Sequence, residues 1–135
     1  MDGVSVHVEV DVNPTEDVEK VKKAVENLFG NVEFEEKPKT RGSLLVVETT
    51  GLDELAILQN LLRRERIRAA ARKVFFGGLS EKSIIFYLNK QVAYVSHISF
   101  SRPEGESPLG PIKVQIQCDR PRELIDWLAP RTVKS

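Results

Sequence analysis

The sequence has little of the chemistry on which small enzymes and secreted domains depend. Its 135 residues include one cysteine, one tryptophan, two tyrosines and two histidines. A single cysteine excludes an internal disulfide and is typical of proteins from a reducing compartment. No apolar run is long enough to span a bilayer, and the first ten residues have neither the basic nor the apolar region of a secretory signal. We therefore expect a cytoplasmic protein that does not contact a membrane.

Motifs that bind nucleotides or metals are also missing. The chain has no Walker loop, dinucleotide glycine fingerprint, paired CxxC or HExxH. Cys118 falls on the apolar side of a predicted strand, which favours a buried structural thiol. His7 and Glu9, together with the distant His97, suggest a metal or acid–base site only weakly, and ordinary exposed histidines explain the pattern better. The sequence predicts no catalytic residue, no metal ligand, no cofactor and no enzymatic activity.

Charge is balanced in total but unevenly distributed along the chain. Charged residues make up 30% of the sequence and the net charge is zero. A charged content above the usual quarter is typical of proteins selected for heat. Residues 1–36 hold ten acids and three bases, whereas residues 63–73 hold six bases and one acid. Either these two regions neutralise each other within the fold, or the basic one forms an anion-binding surface.

The longest run of helix-forming residues extends from Leu52 to Leu79. Two apolar stripes follow one another along it: Leu55, Leu58 and Leu62, then Ile67, Ala71 and Val74. At about 100° per residue, the second stripe is rotated by roughly a third of a turn from the first. One straight helix cannot bury both stripes on one flat surface. We therefore predict a bend or break near residues 64–66, where the basic side chains concentrate.

The remainder of the chain alternates amphipathic strands and helices. Strand patterns occupy residues 4–12, 32–35, 44–47, 83–88, 97–101 and 112–118, and residues 37–42 are predicted to connect a hairpin. One helix is expected to start with Asn13 as N-cap and Pro14 in the first helical position and to end at Gly30. The last helix is predicted between Pro121 and Pro130. Residues 89–96 fit either a tight turn or one to two helical turns.

These elements predict one domain over residues 1–135 with an α+β fold. We expect a two-layer sandwich, in which a mainly antiparallel sheet carries the helices packed on one face. The opposite face should be wet unless a partner covers it. Its predicted lining is polar: His7, Glu9, Glu33, His97, Ser99, Lys113, Gln115 and Gln117. Trp127 has the spacing of a core residue in its helix, although an interface anchor is the alternative.

Three segments of the sequence resemble a known family. They are Arg64-Glu65-Arg66-Ile67 with Ala71-Arg72-Lys73, then residues 106–113 (ESPLGPIK), then residues 126–132 (DWLAPRT). In this order they are similar to segments of uncharacterised protein family two-hundred-and-one, an archaeal family described as predicted RNA-binding proteins. The resemblance implies an α+β fold related to the ribosomal protein that binds 5S RNA, and a non-enzymatic, RNA-associated role. Some relatives resemble a fusion to a P-loop nucleotide-kinase-like domain.

The basic segment and the resemblance together predict an RNA-binding module. Scarce aromatic residues disfavour base stacking, so we expect contacts with the backbone of structured RNA. The predicted contacts are the main cluster of Arg63, Arg64, Arg66, Arg68, Arg72 and Lys73, with Lys90, Lys113 and Arg131 as weaker candidates. The alternative function is a protein-interaction module, either a homodimer or the partner of a nucleotide-kinase-like protein.

Overall fold

The computed structural model describes residues 3–103 and 109–131, which form seven strands and five helices. The strands are β1 (Ser5–Val12), β2 (Glu35–Pro38), β3 (Ser43–Thr50), β4 (Leu79–Ser80), β5 (Ser83–Asn89), β6 (Phe100–Ser101) and β7 (Pro111–Gln117). The helices are α1 (Val18–Phe29), α2 (Asp53–Arg64), α3 (Arg68–Gly77), α4 (Lys90–Tyr94) and α5 (Pro121–Leu128).

All seven strands belong to one sheet, and every pairing is antiparallel. The strand order is β2-β3-β1-β7-β5-β4, and β6 also pairs with β5. Strand β1 lies between β3 and β7, so that Val8 is opposite both Val47 and Val114. The period-two alternation of β1 therefore continues across its neighbours, and one face of the sheet is apolar.

The five helices cover that apolar face and form a continuous core with it. Valines 6, 8, 10 and 12 of β1 are all buried, as are the apolar residues of β5 and β7 that share their side of the sheet. The predicted two-layer α+β sandwich is confirmed. Among the described residues, no helix is long and apolar enough to cross a membrane.

The predicted break in the segment 52–79 is also confirmed. Helix α2 ends at Arg64, α3 begins at Arg68, and Arg66 between them adopts a left-handed backbone with φ 59°. The first stripe is fully buried as expected. The second stripe differs from the prediction, because α3 buries Ala71 and Phe75 completely and leaves Ile67 and Val74 only half-buried. The turn rotates α3 so that a phenylalanine, rather than a valine, faces the sheet.

Three local expectations were wrong in detail. Helix α1 begins at Val18 with Asp17 as its N-cap, whereas Asn13 and Glu16 close a separate turn before it. Strand β2 lies at Glu35–Pro38, three residues later than the pattern at 32–35 indicated. In the segment 97–101 only Phe100–Ser101 pairs as a strand. The open question at residues 89–96 is answered by the short helix α4.

A buried ion pair joins the start of α4 to the turn before α1. The Lys90 ammonium, whose side chain has no solvent exposure, donates to Glu16 Oε1 at 3.0 Å. It also donates to the carbonyl oxygens of Asp11 at 2.7 Å and Leu109 at 2.8 Å. Three acceptors satisfy its three protons, so this lysine is part of the structure rather than of the surface.

Hydrogen bonds around the same carboxylate keep it charged. Burial acts to raise the pKa of Glu16, but donation by Asn13 and Lys90 outweighs it and lowers that pKa below its ordinary value. Tyr94 donates its hydroxyl to Glu16 at 3.1 Å, and burial followed by the adjacent carboxylate raises the pKa of Tyr94 to about 12. The network thus stays ionised on the carboxylate and neutral on the phenol at physiological pH.

We expect Lys90→Met to lower the free energy of unfolding by about 3–5 kcal/mol, because it leaves a buried carboxylate without its counter-ion. Lys82→Met is the matched control, since the Lys82 side chain is 74% exposed and lies 3.9 Å from Asp119; this change should cost less than about 1 kcal/mol. Urea denaturation at pH 7 measures both. Equal losses for the two variants would contradict a structural role for the buried pair.

Candidate nucleic-acid interface

The basic cluster surrounds the turn between α2 and α3, which we call the basic elbow and define as residues 63–73. Arg63 and Arg64 end α2, Arg66 occupies the turn, and Arg68 begins α3. Four of the cations are exposed to solvent: Arg63, Arg64, Arg66 and Lys73. Arg68 is half-buried. Their charges therefore meet at one corner of the helical layer.

The elbow contains six cations, namely these five and Arg72. Five of the six form no ion pair within the described part of the chain. Arg63 donates to the Asn60 side-chain oxygen at 2.7 Å, and Arg64 donates to the Ser96 carbonyl at 3.3 Å. The exception is Arg72, which lies 2.6 Å from Asp126, donates to the Ala129 carbonyl and stacks 5.1 Å from the Phe76 ring. Arg72 is therefore held inside the helical layer.

Four acids in the first third of the chain are paired with residues outside the basic elbow. Asp11 binds Lys39, Glu16 binds Lys90, Glu19 lies near Lys22, and Glu9 contacts His7. Within the described residues, 3–103 and 109–131, none of these four acids forms an ion pair with the basic elbow. Of the two interpretations of the charge pattern, mutual neutralisation is therefore not supported by any ion pair between residues 3–36 and the elbow.

The elbow has a fixed backbone because α2 ends in a Schellman-type closure. The Ile67 amide donates to the Leu62 carbonyl at 3.1 Å, and the Arg66 amide donates to the Arg63 carbonyl at 3.2 Å. This motif places one residue in the left-handed region, where glycine is usual. Arginine occupies that position here, at a cost of about 1 kcal/mol or more relative to glycine.

The two helix dipoles act in opposite directions at the elbow: the end of α2 is negative and the start of α3 is positive. Arg63 and Arg64 sit in the last turn of α2, where cations are stabilised. At the start of α3 the opposite holds: Arg68 is the first helical residue, the first turn contains no acid, and the N-cap Ile67 has no side-chain acceptor. The beginning of α3 therefore combines a positive helix end with uncompensated cations, which is the setting that attracts phosphate groups.

The weaker predicted contacts are dispersed. Lys90 is buried in the ion pair with Glu16, so its ammonium is not available to a ligand, and including it among the RNA contacts was wrong. Lys113 lies on the open face of the sheet, opposite Glu9. Arg131 is exposed two residues beyond Ala129, whose carbonyl binds Arg72. Arg131 therefore lies near the margin of the elbow, whereas Lys113 belongs to another surface.

The open face of the sheet has its own charged cluster around His7. The His7 ring lies 2.7 Å from Glu9 through Nε2 and 3.0 Å from Glu48 through Nδ1. The hydrogen bond to Glu9 raises the pKa of His7 above its ordinary 6.5; partial burial opposes this shift and Glu48 adds to it. These contacts therefore stabilise the protonated ring relative to that of a free histidine.

Two residues predicted on this face lie elsewhere. His97 contacts Glu65 of the elbow, with Nδ1 at 3.0 Å from Oε1, and Glu33 precedes β2. The combination of His7, Glu9 and His97 that the sequence suggested as a weak metal site is thus not assembled. The described residues contain no group of three or more His, Cys, Asp or Glu side chains that could hold a metal ion. Cys118 is buried, as predicted.

Comparison with known proteins identifies the family of this chain. A family model described as RNA binding matches residues 5–118. UPF0201 proteins of Pyrobaculum islandicum and Sulfurisphaera tokodaii are 45% and 46% identical to the chain. These alignments cover 93% and 94% of the chain and 88% of each relative. The chain belongs to the UPF0201 family.

A solved structure agrees with this assignment. The crystal structure of a UPF0201 protein from Methanococcus jannaschii superimposes with a TM-score of 0.84 at 34% identity. The match covers 96% of this chain and 95% of that one. The resemblance drawn from three short sequence segments is therefore confirmed, and the UPF0201 relatives named here are archaeal.

The His7 cluster yields a test of the open face. Its raised pKa means that the folded state binds the proton more tightly, so the stabilisation is present below about pH 6.5 and is lost as the pH rises through the raised value. We expect the difference in unfolding free energy between the unsubstituted protein and His7→Gln to be larger at pH 6 than at pH 9. Gln117→Ala, on the same face, should show a pH-independent difference. Urea titrations at both pH values measure this, and a larger His7→Gln effect at pH 9 would contradict the assignment.

Proposed function

We propose that this UPF0201 protein binds structured RNA through the basic elbow and does so without catalysis. The observation that carries the proposal is the elbow itself, where Arg63, Arg64, Arg66, Arg68 and Lys73 converge with no ion-pair partner among the described residues. The RNA-binding description of the matching family supports it. Arginine forks bind phosphate oxygens in pairs, which suits the backbone of a folded RNA.

Backbone contact is favoured over base stacking because the nearby aromatic rings are engaged. The guanidinium groups of Arg72 and Arg122 lie 5.1 and 5.7 Å from the centre of the Phe76 ring. The Tyr94 hydroxyl is bound to Glu16. Proteins that hold single strands generally present exposed rings to successive bases. A surface of cations without free rings fits the regular phosphate rows of paired RNA better.

The proposal is tested by fluorescence anisotropy with a 20-base-pair RNA duplex over a salt series. Binding through phosphates predicts that the logarithm of the association constant falls linearly with the logarithm of salt concentration. We expect the double variant Arg64→Ala/Arg68→Ala to weaken binding and to reduce that slope by about two, one for each phosphate contact removed.

The matched control removes two cations at the other end of α3. Lys82 and Arg120 are both exposed and lie near the C-terminus of α3 and the start of α5, away from the elbow. Lys82→Ala/Arg120→Ala changes the net charge equally and should leave the slope within about half a unit of the original. Equal effects of the two double variants, or no binding at low salt, would end the proposal.

A second test separates stability from binding at Arg66. Arg66→Gly should raise the free energy of unfolding by about 1 kcal/mol, because glycine adopts φ 59° without strain, yet it should weaken RNA binding by removing a cation. Glu81, with φ 50° in the turn between β4 and β5, is the matched control. Glu81→Gly should stabilise the protein by a similar amount and should not weaken RNA binding, because it removes no cation. Thermal unfolding and the same anisotropy titration measure both, and an Arg66→Gly variant with undiminished affinity would exclude Arg66 from the interface.

A further inference from the structure

We propose that the loop after α4, residues 95–97, forms a second wall of the RNA-binding surface, and that Val95 makes an apolar contact with the ribose edge of the bound RNA. This inference rests on the proposed RNA-binding function. It adds to the RNA-binding surface an uncharged residue, Val95, that contributes to affinity through an apolar contact.

Two side-chain contacts attach the 95–97 loop to the basic elbow. Arg64 donates to the Ser96 carbonyl at 3.3 Å. The His97 ring lies 3.0 and 3.2 Å from the two carboxylate oxygens of Glu65, which is the one acid within the elbow. These contacts hold the loop against the elbow, and Val95 is the residue that immediately precedes Ser96.

The loop repeats the backbone closure of the elbow. The His97 amide donates to the Val92 carbonyl at 3.0 Å and the Ser96 amide to the Ala93 carbonyl at 3.1 Å, with Ser96 at φ 63°. This is the arrangement seen for Ile67, Arg66 and their acceptors in α2. Two helix ends with the same left-handed closure thus lie side by side.

Helix α4 holds this loop on a rigid support. The Asn89 side chain caps its first turn, and the buried Lys90 anchors its start. At its other end, Asn27 of α1 donates to the carbonyl oxygens of Ala93 and Tyr94 at 2.8 and 3.3 Å. A contact residue on such a support loses little conformational freedom on binding, which favours affinity.

Val95 is the side chain that this support exposes. Among the described residues, the large hydrophobic side chains with high exposure are Val95 at 65% and Ile57 at 38%. Ile57 lies seven residues before Arg64 in α2, about 10 Å along the helix axis. Val95, in contrast, immediately precedes Ser96, whose carbonyl accepts a hydrogen bond from Arg64.

The combination of cationic side chains and an exposed aliphatic side chain indicates the chemistry of the ligand. Cations beside an exposed aliphatic side chain match a strip of phosphates beside ribose carbon atoms. The wide, shallow minor groove of paired RNA exposes its riboses to a bound protein, and phosphates border the groove. A bare polyanion presents only the charges, so the apolar contact distinguishes RNA from a non-specific anionic surface.

The test uses anisotropy with a 20-base-pair RNA duplex at several salt concentrations and compares Val95→Ala and Val95→Lys with Ile57→Ala and Ile57→Lys. We expect Val95→Ala to weaken binding about three- to tenfold at every salt concentration without changing the salt slope, since two methyl groups and no charge are removed. Val95→Lys should increase the slope by about one, because it adds a cation facing the phosphates. The Ile57 variants should match the unsubstituted protein.

The outcomes distinguish RNA binding by the elbow from the additional role of Val95. If the unsubstituted protein binds with a salt-dependent affinity, but the Val95 variants change no more than their Ile57 counterparts, the second wall is excluded and the elbow remains. If Val95→Ala lowers the slope as well as the affinity, the apolar role is excluded. If the unsubstituted protein does not bind the duplex at low salt, the proposed function fails and the loop inference fails with it.

Discussion

Two apolar stripes that do not align along residues 52–79 impose the constraint on which the helical layer depends. Fully burying Leu55, Leu58 and Leu62 stabilises the fold by about 1.5–3 kcal/mol per side chain, and burying Phe75 contributes similarly. The left-handed residue that allows both burials costs about 1 kcal/mol. Burial therefore outweighs the strain several times over, and the chain turns at Arg66. The same turn brings the end of α2 and the start of α3 together at one exposed corner, which concentrates the cations there.

The buried ion pair shows a different kind of constraint. Lys90 and Glu16 lie 74 residues apart in sequence, and their contact fixes α4 against the turn that precedes α1. An isolated buried charge would cost several kcal/mol, so the pair is tolerable only because Asp11 and Leu109 carbonyls complete the shell of the ammonium. Helix α4 has only five residues and could not hold its position by its own hydrogen bonds. The position of the 95–97 loop beside Arg64 thus depends on this network.

The sequence predicted those features that depend on local periodicity and failed for those that depend on distant partners. The strands at 4–12 and 112–118, the break near Arg66 and the helix after Pro121 all follow from spacing and helix propensity. The capping-box pattern at Asn13 does form its hydrogen bond to Glu16, yet Lys90 and Tyr94 draw the same carboxylate into the core, and the helix begins only after Asp17. The pairing of Arg72 with Asp126 and of His97 with Glu65 had no sequence signal, because each joins separate elements.

Repulsion among the elbow cations is too weak to demand a ligand by itself. The turn at Arg66 removes Arg64 from the row of Arg68 and Arg72, and Asp126 neutralises Arg72, so the remaining like-charge cost is a few tenths of a kcal/mol per pair. The choices of residue at two positions are more informative. Glycine at position 66 and an acid in the first turn of α3 would each stabilise the fold, by about 1 and 0.3–1 kcal/mol, yet the chain has Arg66 and Arg68. Residues that are less favourable for folding than simple alternatives are expected where a surface serves a ligand, and both of these arginines point to an anionic one.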